Sequence, residues 1–99
     1  MKKAPEDCKS IDDVRFEIDS IDYQLIQLIV QRGKFVRVAA KYKTDKNSVK
    51  AEDRVAAMIG KRREWANEMN LNPDFIESQF RSMVQYFVNL ELEEWKSKN

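Results

Sequence analysis

The stretch IDDVRFEIDSIDYQLIQLIVQRGKFVRVAAKYK, residues 11–43, decides the fold. It holds no proline, and a heptad series runs through it: Ile11, Val14, Ile18, Ile21, Leu25, Leu28, Arg32, Phe35, Ala39, Tyr42. Side chains at this spacing form one stripe along an α-helix. Ser10, with Asp13 three residues on, resembles a capping box in which Asp replaces the usual Glu or Gln, so the helix is expected to start near residue 11. It should run to residue 42 or 43. Every seam position is apolar or small except Arg32. A guanidinium keeps its proton at working pH and is costly to bury without an anion. The flanking seam positions supply none, which makes a ligand anion a candidate partner and points to a small acidic substrate.

Beyond this helix, Thr44-Asp45-Lys46-Asn47-Ser48 is polar and short, and residues 44–50 read as a loop. A second helix is expected over 51–69, with Val55, Met58, Ile59, Arg62 and Trp65 or Ala66 along one side. Asn70-Leu71-Asn72-Pro73-Asp74 ends it and starts a third, with Asn72 as N-cap and Pro73 at the first helical position. That helix carries Ile76, Phe80, Met83, Val84, Phe87, Val88 and Trp95 at helical spacing. Two glycines and two prolines leave few turns, and no segment alternates as a strand would. The expected fold is all-α, three helices in one domain over 1–99, with residues 1–10 as an N-terminal arm.

A helix of about 32 residues is about 48 Å long, whereas a compact chain of this size has a radius of gyration of about 13 Å. The first helix therefore outruns what its own chain can wrap around it, yet its apolar seam continues. An intertwined, two-fold homodimer with antiparallel first helices covers the remainder most economically. Gly33, beside Arg32, fits either a close approach of backbone or ligand or a tolerated helix glycine.

Composition closes several classes of function. Eighteen basic residues balance seventeen acidic ones, so the basic excess of a nucleic-acid binder is missing. Cys8 is the single cysteine and has no intramolecular disulfide partner; it reads as part of the arm. There is no histidine, which excludes Ser-His, Cys-His and histidine-metal chemistry, and no carboxylate cluster has metal-ligand spacing. No cofactor is implied. The first residues lack the apolar segment of a signal peptide, and no apolar run is long enough to cross a bilayer, so the expectation is a cytoplasmic protein without membrane contact.

Three cations and one acid remain for chemistry. Arg32 and Lys43 are eleven residues apart, about 16 Å along the axis and about 20° off one face, a gap two long side chains can narrow around a small molecule. Arg15 lies about 25 Å before Arg32 and about 100° round the axis, so it cannot reach the same pocket from the same chain. In an antiparallel dimer, Arg15 of one chain joins Arg32 and Lys43 of the other, giving two shared sites. Glu91 follows Val84, Phe87 and Val88 by seven, four and three residues and should face the interior as acceptor, salt-bridge partner or protonated donor. Structural roles compete. Arg15 fits a surface pair with Asp19, Lys43 a stabilising place at a helix C-terminus, and Glu91 an internal partner for Arg32. The run Lys61-Arg62-Arg63 reads as solvated helix surface, and Trp65, Phe80, Phe87 and Trp95 as core.

With these residues in place, the chain resembles the all-helical chorismate mutase family, and within it the isochorismate-pyruvate lyase branch. The likeness spans nearly the full length. It shows in Pro5-Glu6-Asp7-Cys8, Val14-Arg15-Phe16-Glu17-Ile18-Asp19-Ser20-Ile21-Asp22, Arg32, Lys43, Glu52-Asp53-Arg54-Val55-Ala56-Ala57-Met58, Trp65-Ala66, Pro73-Asp74-Phe75-Ile76-Glu77 and Trp95. The resemblance implies an entwined three-helix dimer in which Arg15 of the partner chain, Arg32 and Lys43 bind two carboxylates and an ether oxygen. Two positions depart from the family pattern. Glu52 stands where many mutases carry arginine, and Glu91 where glutamine is usual.

The activity so implied is a concerted pericyclic elimination. Hydrogen moves from the isochorismate ring to the enolpyruvyl carbon while the C–O bond breaks, giving salicylate and pyruvate, with no nucleophile or metal. The protein holds a flexible dianion in a reactive conformer, Lys43 stabilises charge on the departing ether oxygen, and residues 44–50 close as a lid. A salicylate-derived siderophore is one downstream use. Chorismate mutase, converting chorismate to prephenate in the same pocket, is the nearest rival and an expected side activity. A non-catalytic helical dimer and an aromatic-acid sensor are alternatives of other classes.

Overall fold

The computed structural model describes residues 3–42 and 52–98, apart from the side chains of Trp95 and Lys98. The expected lid loop 44–50, Lys43 and the Trp95 side chain lie outside the described residues. A short 3₁₀ turn, Pro5–Asp7, precedes three α-helices: α1 (Ile11–Ala40), α2 (Glu52–Glu68) and α3 (Pro73–Lys98). The chain divides into two compact units, Met1–Phe35 and Val36–Asn99, with the boundary inside α1.

Local chemistry sets the helix ends. The Asp13 N–H donates to Ser10 Oγ (3.1 Å), as the capping box requires. The reciprocal bond shifts by one residue: Asp13 Oδ2 accepts from the Lys9 N–H (3.0 Å) and lies 3.2 Å from Lys3 Nζ. The arm is therefore tied to α1, with a further bond from the Lys3 N–H to Glu17 Oε1 (3.2 Å). α1 ends at Ala40, two or three residues earlier than expected, in a turn at Lys41 and Tyr42. At the end of α2, Asn70 adopts φ 59°, and the Leu71 N–H reaches Ala66 O (2.8 Å) while the Asn70 N–H reaches Asn67 O (3.2 Å). That is a left-handed C-cap, which asparagine tolerates next after glycine. Asn72 then caps α3, its Oδ1 accepting from the N–H groups of Asp74 (2.8 Å) and Phe75 (3.4 Å).

In the second unit α2 and α3 pack together. The buried residues are Met58, Ile59 and Ala66 of α2, at the spacing of one helix face, together with Glu91 of α3. Arg62 stands on the same face. Its guanidinium carbon lies 5.0 Å from the Trp65 ring centroid and 5.4 Å from that of Phe80, close enough for cation–π attraction to both. This corrects two expectations. Arg62 is half-buried rather than solvated, and Trp65 is an exposed platform for it rather than core. Arg63, also read as solvated, pairs across the turn with Asp74 Oδ1 and Glu77 Oε1, both at 2.9 Å, and Arg81 Nε holds the other Glu77 oxygen at 2.6 Å.

The seam of α1 stays open in the single chain. Ile11, Val14, Ile18, Ile21, Leu25, Leu28 and Phe35 are all exposed, and Gly33 is the buried residue of the helix.

Candidate functional site

Arg15 stands one turn past the Ser10–Asp13 cap, on the part of α1 buttressed by the arm. The Lys9 N–H, then Lys3, hold the Asp13 carboxyl below the usual carboxylate range, so it stays ionised as the anchor of that contact. Arg15 is exposed, and among the described residues no ion pair joins it to Asp19. The structure thus withholds the surface pairing that spacing allowed. Arg32 is half-buried with its Nη1 fully shielded, and this desolvation lowers the guanidinium below the usual arginine range. It remains a cation at neutral pH.

The two arginines share α1 but lie about 25 Å apart along it, so no small molecule spans them within one chain. Lys43, the third expected cation, is outside the described residues. Glu91 belongs to the second unit and is 5% exposed, in agreement with its place on the α3 stripe.

Two cavities among the described residues lie on the same elements, and neither is lined by Arg15, Arg32 or Glu91. One, of about 670 Å³, opens between α2 and α3. Val55, Val84, Val88 and Leu92 give it an apolar wall; Glu52, Arg81, Gln85 and Asn89 supply polar groups. Its volume falls in the range of small-ligand sites. Gln85 Nε2 donates to Asn89 Oδ1 (2.8 Å), and Arg81 is engaged by Glu77. Sequence reasoning missed this polar row, although Arg81, Gln85 and Asn89 recur at intervals of four beside the apolar row Val84, Val88 and Leu92. Glu52, the departure noted at the start of α2, adds an acid to this cavity. The second cavity, about 300 Å³, lies between the arm and α1 and includes Cys8, Val14, Ile18 and Ile21 in its mostly apolar lining. Cys8, read as an unremarkable arm residue, is half-buried there, its Sγ 3.9 Å from Ala4 O.

The chain thus combines an α1 that carries a half-buried cation on an open apolar seam with two packed helices that hold a buried glutamate. Residues 14–92 match the family described as chorismate mutase type II. The chain belongs to this family. The isochorismate pyruvate lyase of Pseudomonas aeruginosa is 33% identical to it over 94 residues, which cover 95% of this chain and 93% of that protein. The T-protein of Haemophilus influenzae is also 33% identical, over 78 residues that make up 78% of this chain and 21% of that protein. The family match accords with the all-helical architecture and its long first helix. Among the described residues no helix is long and apolar enough to cross a membrane.

Proposed function

We propose that the protein is a cytoplasmic isochorismate pyruvate lyase, with weak chorismate mutase activity in the same pocket. The observation that carries this reading is the end-to-end likeness to the Pseudomonas aeruginosa lyase, 95% of one chain against 93% of the other. The likeness to the T-protein reaches the same identity but involves a fifth of that protein.

In this reading two chains pair through α1. Support comes from the exposed apolar seam, because a stripe from Ile11 to Phe35 left in water is what an unfilled interface looks like. Antiparallel pairing carries Arg15 of one chain toward Arg32 and Lys43 of the other. Arg15 and Arg32 then take the two carboxylates of isochorismate, and the half-burial of Arg32 strengthens its bond to an anion by excluding water. Lys43 lies on the ether oxygen, where negative charge develops as the C–O bond breaks. Glu91 completes the pocket in this reading as the polar group that α3 brings to the substrate. The ring hydrogen passes to the enolpyruvyl methylene carbon in the same step, so no protein base is needed and the reaction ends at salicylate and pyruvate. Holding the reactive conformer supplies much of the acceleration.

Chorismate mutase is the second reading, favoured by the family match itself. Incubating the purified protein with each substrate separates them. Salicylate fluorescence with an equal amount of pyruvate from isochorismate, at a kcat/KM about tenfold or more above that for prephenate formation from chorismate, is the expected result. Prephenate as the main product would establish the mutase instead, and turnover of neither substrate would favour a non-catalytic dimer or a sensor.

A further inference from the structure

Arg37 and Glu94 take no direct part in the reaction just described, yet they link the end of α1 to α3 within the second unit. Arg37 stands in the last turn of α1 and donates from Nη2 to Glu94 Oε1 at 2.6 Å. The arginine side chain is 71% exposed and the glutamate 40%, so the pair stands in water and adds little to folding. A cation in the last helical turn suits the helix dipole, but that role needs no particular acid opposite it. What distinguishes Glu94 is its position. It follows the buried Glu91 by three residues, one turn along α3 and about 60° round its axis. The bond therefore grips α3 one turn from Glu91, on a side that is open to water.

We propose that Arg37 and Glu94 are a positioning pair that holds the Glu91 turn of α3 in axial register with the end of α1; the inference rests on the lyase reading. Register matters because each residue advances a helix by about 1.5 Å, and a misplacement of about 1 Å can cost a reaction a hundredfold. Neither residue is catalytic. Their effect passes through the carboxyl of Glu91.

Arg37→Ala, Glu94→Ala, the double variant and Arg37→Lys test the pair in the full chain, by salicylate formation and by amide hydrogen exchange. Each alanine variant should lower kcat about tenfold with KM within about twofold of the parent. The double variant should be no slower than the slower single one, as expected of two residues acting as one unit, and Arg37→Lys should recover most of the loss. Exchange should quicken at residues 89–96 and stay unchanged over 52–68. Unchanged kcat, additive losses, or exchange that quickens throughout 52–98 would overturn the proposal, the last because it signals general loosening. A parent chain that forms no salicylate would overturn the lyase reading by itself. Exchange at 89–96 then still reports on the pair, and no change there in Arg37→Ala overturns the grip on α3 whatever the chain catalyses.

Discussion

Arg32 interrupts an otherwise apolar seam with a cation whose Nη1 is shielded from water. In the lyase reading, removing it deletes a substrate contact and also relieves the desolvation of the guanidinium, so activity and stability should part company. Arg32→Ala is expected to lower kcat/KM by about a hundredfold or more while unfolding free energy stays within about 1 kcal/mol. Steady-state kinetics beside urea unfolding checks both, and a variant that fails to fold would make Arg32 a structural partner of an internal acid. Glu91 gives the second prediction at this scale. In the lyase reading it touches the substrate, so Glu91→Ala should lower kcat/KM about tenfold or more, while Glu91→Gln, nearly isosteric and able to donate a hydrogen bond, should keep most of the activity. Steady-state kinetics of both variants decides it, and unchanged activity in Glu91→Ala would remove Glu91 from the pocket. The burial of Glu91 was legible because Val84, Phe87 and Val88 fix its face within one helix. The surroundings of Arg62 were legible only in part. Helical spacing put it on the side of Val55, Met58 and Ile59, yet the basic run Lys61-Arg62-Arg63 read as surface, and the Phe80 ring beside its guanidinium comes from another helix, a contact no local pattern announces.

Helix starts were the most legible elements, because Ser10, Asn72 and Pro73 act on neighbours in sequence, whereas the end of α1 came two or three residues before the expected 42 or 43. Links between elements were not. Arg63 reaches Asp74 and Glu77 across the α2–α3 turn, and the arm is pinned by Lys3 to Asp13, ten residues on. The Arg81 guanidinium, then Arg63, hold the Glu77 carboxyl below the usual carboxylate range. A carboxyl depressed on folding contributes stability that is complete above its unfolded pKa and lost as pH falls through the folded one. Glu77→Gln should therefore lower the thermal midpoint of the α2–α3 pair slightly at neutral pH and leave it unchanged in acid below the depressed value. Calorimetry across pH tests this. A constant difference down to the lowest pH would mean that the carboxylate charge is not what Glu77 contributes.

At the scale of the molecule, the open seam of α1 is what the proposed dimer would cover. Large apolar side chains from Ile11 to Phe35 stand in water in the single chain, while Met58, Ile59 and Ala66 are the buried apolar side chains among the described residues. So small a core favours a chain that folds only when paired. Sedimentation at micromolar concentration should show a dimer throughout, and a stably folded monomer would contradict the shared site. The proposed shared site rests on an argument from length: spacing shows that Arg15 cannot reach Arg32 in one chain, and bringing the two together takes a second chain. Subunit exchange tests this central claim most directly. Arg15→Ala and Lys43→Ala chains should each be inactive. Mixed in equal amounts and allowed to exchange, they should regain about a quarter of the parental activity, because half the dimers are then mixed and each has one site with every cation. Activity that stays at the level of the separate variants, with exchange demonstrated, would contradict a site built from Arg15 of one chain and Arg32 and Lys43 of the other.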